Sequence, residues 1–146
     1  YDQLKRLQDK YNKEMKVTEY DVNLDMDTSD PEAAASFMRD IMIGTFSLEN
    51  ETGFLMWGFT DAHHWLKSAP VFDKNYNIKK SGEQYLDLVY NKWWTQEDGK
   101  TTSDGSYQTR GYYGDYLITA SANGKSKTVD VKCYKGADNT ITITLD

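Results

Sequence analysis

Met15-Lys16-Val17-Thr18-Glu19-Tyr20-Asp21-Val22-Asn23 is a short strand pattern that ends on two carboxylates. With a side-chain period of two, Met15, Val17, Glu19 and Asp21 fall on one face, and Lys16, Thr18, Tyr20 and Val22 fall on the other. Two acids therefore close one apolar row. A carboxylate directed inward at the end of a buried strand is costly unless it is hydrogen-bonded or used in chemistry. The carboxyl ends of parallel strands are also where α/β enzymes carry their reacting groups. The same spacing fits acids on a solvated strand edge or in structural ion pairs, so both readings stand at this point.

The flanking sequence supplies the layers such a strand needs. Before it, Tyr1, Leu4, Leu7 and Tyr11 recur at helical spacing, with Asp2, Lys5, Arg6, Lys10 and Asn12 off the stripe. A chain rarely starts on an uncapped stripe, so further residues are expected upstream and the sequence reads as the C-terminal part of a longer polypeptide. After it come a polar loop over residues 23–30 and a helix start at Ser29-Asp30-Pro31-Glu32. Either Asp30 is the N-cap with Pro31 in the first turn, or Ser29 and Glu32 form a capping box. Ala34, Phe37, Ile41, Met42, Thr45 and Leu48 mark one face of this helix, which is expected to end near residue 47 or 48. Residues 50–53 lead into a second strand. Leu55 and Trp57 share its inward row. A closing helix is predicted over 81–92, with Ser81 and Glu83-Gln84 offering a capping box and Tyr85, Leu88 and Val89 a buried stripe. Strand, helix, strand and helix with short joints is the order of a parallel α/β unit.

Two stretches resemble one enzyme family. Val17-Thr18-Glu19-Tyr20-Asp21-Val22 resembles the nucleophile strand of family 10 glycoside hydrolases, the retaining endo-1,4-β-xylanases, whose motif reads apolar, Thr or Ser, Glu, apolar or Tyr, Asp, apolar. Gly53-Phe54-Leu55-Met56-Trp57-Gly58-Phe59-Thr60-Asp61-Ala62-His63-His64-Trp65-Leu66 resembles the strand-eight signature of that family, a Trp-Gly-x-x-Asp run followed by a second Trp. The resemblance implies that residues 1–94 are the C-terminal part of a catalytic domain, the last two βα units of a (β/α)8 barrel. Such a barrel has eight strands and about 250 residues, so this chain cannot close it.

The resemblance also implies roles. Glu19 matches the nucleophile of a double displacement, in which two carboxyls stand about 5 to 5.5 Å apart. The partner acid/base glutamate, on the fourth strand of the family in an Asn-Glu motif, has no match here. Asp21 matches the aspartate that orients the nucleophile and keeps it ionised together with a histidine from an earlier strand, and that histidine also has no match. Trp57 and Trp65 match the walls of the subsite of the attacked sugar, where an indole covers apolar CH faces; the plain alternative is that both are core residues. His64 stands at the same subsite, where many members carry Ser. The implied activity is hydrolysis of internal β-1,4-xylosidic bonds, with xylan or xylo-oligosaccharide as substrate, no cofactor, a secreted enzyme, and the N-terminal portion of the same enzyme (strands one to six) as partner. A related β-1,4-glycan hydrolase and a non-catalytic carbohydrate-binding fragment remain as alternatives.

Bulk properties narrow the choice. The net charge of -6 and pI near 4.9 oppose a phosphate-backbone partner, which calls for a basic stripe. No apolar run is long enough to span a membrane. Cys133 is the single cysteine, so neither an intrachain disulfide nor a cysteine-rich zinc site is supported. Asp61-Ala62-His63-His64 lacks further ligands at zinc-like spacing, and no metal site is expected. Beyond Trp94 the composition turns to Thr, Gly, Ser and Asp, and residues 95–146 read as a small all-β subdomain. Tyr116 to Ala120 and Ser126 to Cys133 flank Asn123-Gly124, a hairpin signal, and a last strand is expected over 140–145. The Gly105 to Tyr116 run resembles the C-terminal β appendage of some anaerobe xylanases and, more loosely, prealbumin-type modules.

Overall fold

A computed structural model describes residues 1–25 and 29–145, so the middle of the polar loop expected over 23–30 lies outside the described residues. The chain divides into two compact units, Tyr1–Trp93 and Trp94–Asp146.

In the first unit the elements run α1 (Asp2–Tyr11), β1 (Met15–Tyr20), α2 (Pro31–Phe46), β2 (Glu51–Met56), α3 (Lys80–Asp87) and a π-helical turn (Leu88–Lys92). β1 and β2 pair in parallel, as the alternation of strands and helices predicts. α1 closes on Asn12 in the left-handed conformation (φ 45°), its amide donating to the Gln8 carbonyl. The apolar stripe of α1 stays largely uncovered, with Tyr1, Leu7 and Tyr11 all exposed.

Between the two alternative starts of α2, local chemistry selects Asp30. Its carboxylate accepts from the Glu32 amide at 3.0 Å and Pro31 opens the helix, where a missing N–H costs nothing. The buried face is Ala34, Ala35, Met38, Met42 and Thr45. Phe37, expected on that face, is instead exposed, and Met38 takes its place. Met38 and Met42 join Val71 and Leu88 in the core, and Tyr20, Phe54, Met56 and Phe72 pack against this cluster. The helices therefore cover one face of the sheet, the one carrying Tyr20, Phe54 and Met56. The opposite face stays open: Leu55 and Trp57 are about half exposed.

The expected row Met15, Val17, Glu19, Asp21 does not survive intact. β1 half-buries Met15, Val17 and Tyr20 and exposes Lys16, Thr18 and Glu19. The register explains the break. Between the pairs Val17↔Phe54 and Tyr20↔Met56, β1 holds one residue more than β2, so a bulge at Thr18-Glu19 reverses the alternation. Glu19 thus leaves the row of Val17. The last helix also differs from expectation. It begins at Lys80 with Lys79 as N-cap and no side-chain cap, so the Ser81 capping box does not form, and its end widens into the π turn through Leu88.

The second unit is built on one antiparallel hairpin, β3 (Gly114–Ala122) with β4 (Lys125–Cys133). Asn123 (φ 51°) and Gly124 (φ 77°) supply the two positive dihedrals of a type I′ turn. Tyr116, Ile118, Ala120, Val129, Val131 and Cys133 make the half-buried face. The other face pairs Thr119 with Thr128 and Ser121 with Ser126, each at 2.8 Å. Residues 140–145, expected as a strand, form no ladder; Ile143 and Leu145 are half-buried, and the Lys127 ammonium donates to the Thr144 carbonyl.

Met38 is a fully buried apolar side chain of the first unit, in the cluster that α2 packs against the sheet. Met38→Ala is expected to cost about 2 to 5 kcal/mol of stability, read as a lowered denaturation midpoint. Phe37→Ala, on the exposed side of the same helix, should change the midpoint little; equal losses would reverse the assignment of the buried face.

Candidate active site

Glu19 and Trp57 stand at the carboxyl ends of adjacent parallel strands. Tyr20 is paired with Met56, and the Trp57 amide extends the ladder by donating to the Tyr20 carbonyl at 3.3 Å. The next residues leave β2 in a long loop over 57–79 that is tied at its base. Phe72 bridges to both Thr60 and Ile78, its amide donates to the Phe59 carbonyl at 3.1 Å, and the Phe59 and Phe72 rings lie 4.7 Å apart. Buried Thr60 donates its hydroxyl to the Asp73 carbonyl at 2.9 Å.

One cation holds this loop to the helix behind it. The Lys79 ammonium reaches both Asp61 carboxylate oxygens, at 2.8 and 3.0 Å, and the Ser68 carbonyl at 2.9 Å. Lys79 and Asp61 keep only 16% and 15% side-chain exposure, a setting in which a satisfied pair constrains geometry more than it adds stability. Ser68 turns its hydroxyl toward Asn23 Oδ1 at 2.8 Å and Asp25 Oδ2 at 2.9 Å, joining the loop to the exit of β1. Neither Lys79 nor Ser68 stands out in the sequence, because their partners lie 18 and 45 residues away.

Trp57 and Trp65 are 54% and 73% exposed in this chain. They line an open hollow of about 420 Å³ with Gly58, Phe59, Thr60, His63 and His64. His64, like Thr60, is buried in that lining, 6% exposed beside the open Trp65 ring. Its Nδ1 lies 2.8 Å from the Leu66 carbonyl oxygen and 3.0 Å from the Leu66 amide. Its Nε2 lies 3.4 Å from Asp21 Oδ2 but makes no hydrogen bond. Gly58 makes room for this ring, since a Cβ there would come within 2.0 Å of His64 Cδ2. The glycine of the Trp-Gly pair thus has a steric reason that the sequence pattern alone does not state.

Asp21 lies just past β1, two residues after Glu19 and 3.4 Å from His64. Burial pushes its carboxyl above the ordinary aspartate range, His64 opposes that rise, and the Glu19 charge adds to it. A carboxyl raised on folding contributes stability below its unfolded pKa and loses it as pH rises through the folded value. Ionising Asp21 therefore costs stability relative to its protonated form. Among the described residues no cluster of three or more His, Cys, Asp or Glu side chains could hold a metal ion.

The arrangement has relatives. The profile of "Glycosyl hydrolase family 10" matches residues 2–92, and the chain belongs to that family, whose fold is the (β/α)8 barrel. Over 112 residues, 76% of this chain, it is 33% identical to Anti-sigma-I factor RsgI6 of Acetivibrio thermocellus. Over 123 residues, 84% of this chain, it is 21% identical to Endo-1,4-beta-xylanase 1 of Arabidopsis thaliana. The chain spans only 14% and 13% of the lengths of these two proteins.

The seat of His64 makes a direct prediction. Gly58→Ala should expel the imidazole and destabilise the first unit by about 1 to 3 kcal/mol, the usual cost of overpacking. Lowered thermal stability together with new exchange protection loss at Leu66 would be the readout; an unaltered Leu66 amide would show that the ring stays in place without the space.

Proposed function

We propose that this chain is the nucleophile half of a retaining family 10 glycoside hydrolase that cleaves internal β-1,4-xylosidic bonds. Glu19 attacks the anomeric carbon, and a glutamate from the remainder of the barrel protonates the departing oxygen and then activates water. Asp21 orients Glu19 and helps keep it ionised. Trp57 and Trp65 cover the apolar faces of the sugars, with His64 at the same subsite. The observation that carries this reading is the placement of exposed Glu19 and Trp57 at the carboxyl ends of adjacent parallel strands, in a chain of this family. The carboxyl ends of barrel strands are where such enzymes do their chemistry.

The two strands correspond in this reading to the seventh and eighth of the barrel. The remaining six come from the preceding portion of the same polypeptide and cover the open face that carries Leu55 and Trp57. A polymeric substrate places the enzyme outside the cell. A second reading, a family 10 domain that binds xylan in a regulatory role, draws support from the name of the 33% relative, an anti-sigma factor rather than a hydrolase.

In the complete protein, Glu19→Ala is expected to abolish turnover of xylan while leaving the fold close to wild type. Added azide should restore cleavage of an activated aryl xyloside and yield the α-configured glycosyl azide, because azide takes the place of the missing carboxylate. A β-azide would assign Glu19 to the acid/base role. Tight xylo-oligosaccharide binding with no turnover in the wild type would favour the regulatory reading.

Trp57→Ala should lower the rate by about 100-fold through lost positioning next to the reacting carbon. Trp65→Ala should act mainly on KM. Kinetics untouched by both, in a folded protein, would remove the two rings from the substrate site.

A further inference from the structure

The segment that carries Trp65 is held at both ends by one ammonium. Lys79 Nζ donates to Asp61 Oδ1 at 2.8 Å, to Asp61 Oδ2 at 3.0 Å and to the Ser68 carbonyl at 2.9 Å. An ammonium has three N–H donors, so each of them finds an acceptor here. Lys79 is itself fixed through its main chain at the start of α3. Its amide donates to the Val71 carbonyl at 2.8 Å, and its carbonyl accepts from the Glu83 amide at 2.9 Å. Val71 belongs to the core, 5% exposed. The tie therefore runs from the core and the helix out to residues 61 and 68, and Trp65 stands between them.

The Trp65 ring is 73% exposed, so packing alone sets little of its position. The contacts inside the segment are short in range: the His63 amide donates to the Thr60 carbonyl at 3.3 Å and the Leu66 amide to His64 Nδ1 at 3.0 Å. Neither Lys79 nor Asp61 lines the hollow that Trp57 and Trp65 share. Resting on the family 10 reading above, we propose that Lys79 is a positioning residue for glycan binding that acts through Trp65. By holding Asp61 and Ser68 together, its ammonium fixes the stretch of loop that sets the indole against the sugar. A purely structural ion pair would instead change stability and leave the sugar affinity of the folded molecules as it is.

The kinetic consequence follows from where the tie lies. When only a fraction of molecules hold the loop in its binding arrangement, the apparent dissociation constant rises by the inverse of that fraction. Glu19 lies on β1 and Trp57 extends the ladder to it, both outside the tied segment, so the strand ends keep their geometry. Losing the tie therefore weakens binding of the ground and transition states alike, which raises KM and leaves kcat nearly unchanged.

The experiment uses the complete enzyme and replaces the pair together, Lys79→Met with Asp61→Leu, because one buried charge left alone destabilises a fold whereas an apolar pair is tolerated. With an aryl xyloside as substrate and xylohexaose as ligand, KM and Kd should rise about 10-fold while kcat stays within about 2-fold of wild type. Asp61→Asn, which keeps an acceptor for the ammonium, should raise KM less. In a Trp65→Ala background the paired replacement should raise KM no further. In fluorotryptophan-labelled protein the fluorine resonance of Trp65 should shift or split once the tie is lost. A lowered melting temperature with KM and Kd unchanged would make the pair a structural one and overturn the proposal. Losses in KM that multiply with those of Trp65→Ala, or a Trp65 resonance that does not move, would overturn it as well. A wild-type protein that neither cleaves nor binds xylo-oligosaccharides, while the Trp65 resonance still responds to the paired replacement, would instead defeat the function proposed above and leave the tie between Lys79 and Trp65 in place.

Discussion

A two-stranded parallel sheet can be covered by its own crossover helices on one face only, and this constraint orders the whole first unit. Met38 and Met42 of α2, with Val71 and Leu88, close over Tyr20, Phe54 and Met56. Those contacts replace water on the helix side with close-packed side chains, worth roughly 1.5 to 3 kcal/mol for each large residue fully buried. Everything that cannot join that seam emerges on the other face or at the strand ends. Leu55, Trp57 and Glu19 are exposed for that reason, not because of their own polarity.

The loop that follows β2 is fixed by polar contacts where apolar ones run out. Lys79 clamps Asp61 and the Ser68 carbonyl, Ser68 reaches Asn23 and Asp25, and Thr60 donates to Asp73. Such a network ties at its base the backbone of the loop that carries the exposed Trp65. The buried His64 lies inside the same frame. Its neighbour in sequence is the most exposed of the two motif tryptophans, so adjacent residues serve opposite ends of the loop.

Several features were legible in the residues because their causes are local. Asp30-Pro31 starts α2 through a contact two residues long, and Asn123-Gly124 makes the hairpin turn through its own dihedrals. The alternation of strand and helix patterns predicts a parallel pair, and β1 and β2 form one. The family, too, is carried by short runs around Glu19 and Trp57, and residues 2–92 match it.

Which face each residue takes was decided elsewhere. A strict period of two puts Glu19 in the row of Val17, but the extra residue that β1 holds against β2 reverses the order, and only the pairing of distant strands creates that bulge. Met38 displaces Phe37 from the core, and the capping box at Ser81 yields to a helix that begins one residue earlier. Residues 140–145 alternate like a strand yet find no ladder. His64 is buried against Asp21 across 43 residues of chain, in a space that Gly58 leaves open. The sequence by itself determined the kinds of element, their caps and turns, and the family motif, since each depends on atoms a few bonds apart. The tertiary structure alone decided burial, strand register and the partners of buried polar groups, because those depend on surfaces that meet only after the chain has folded.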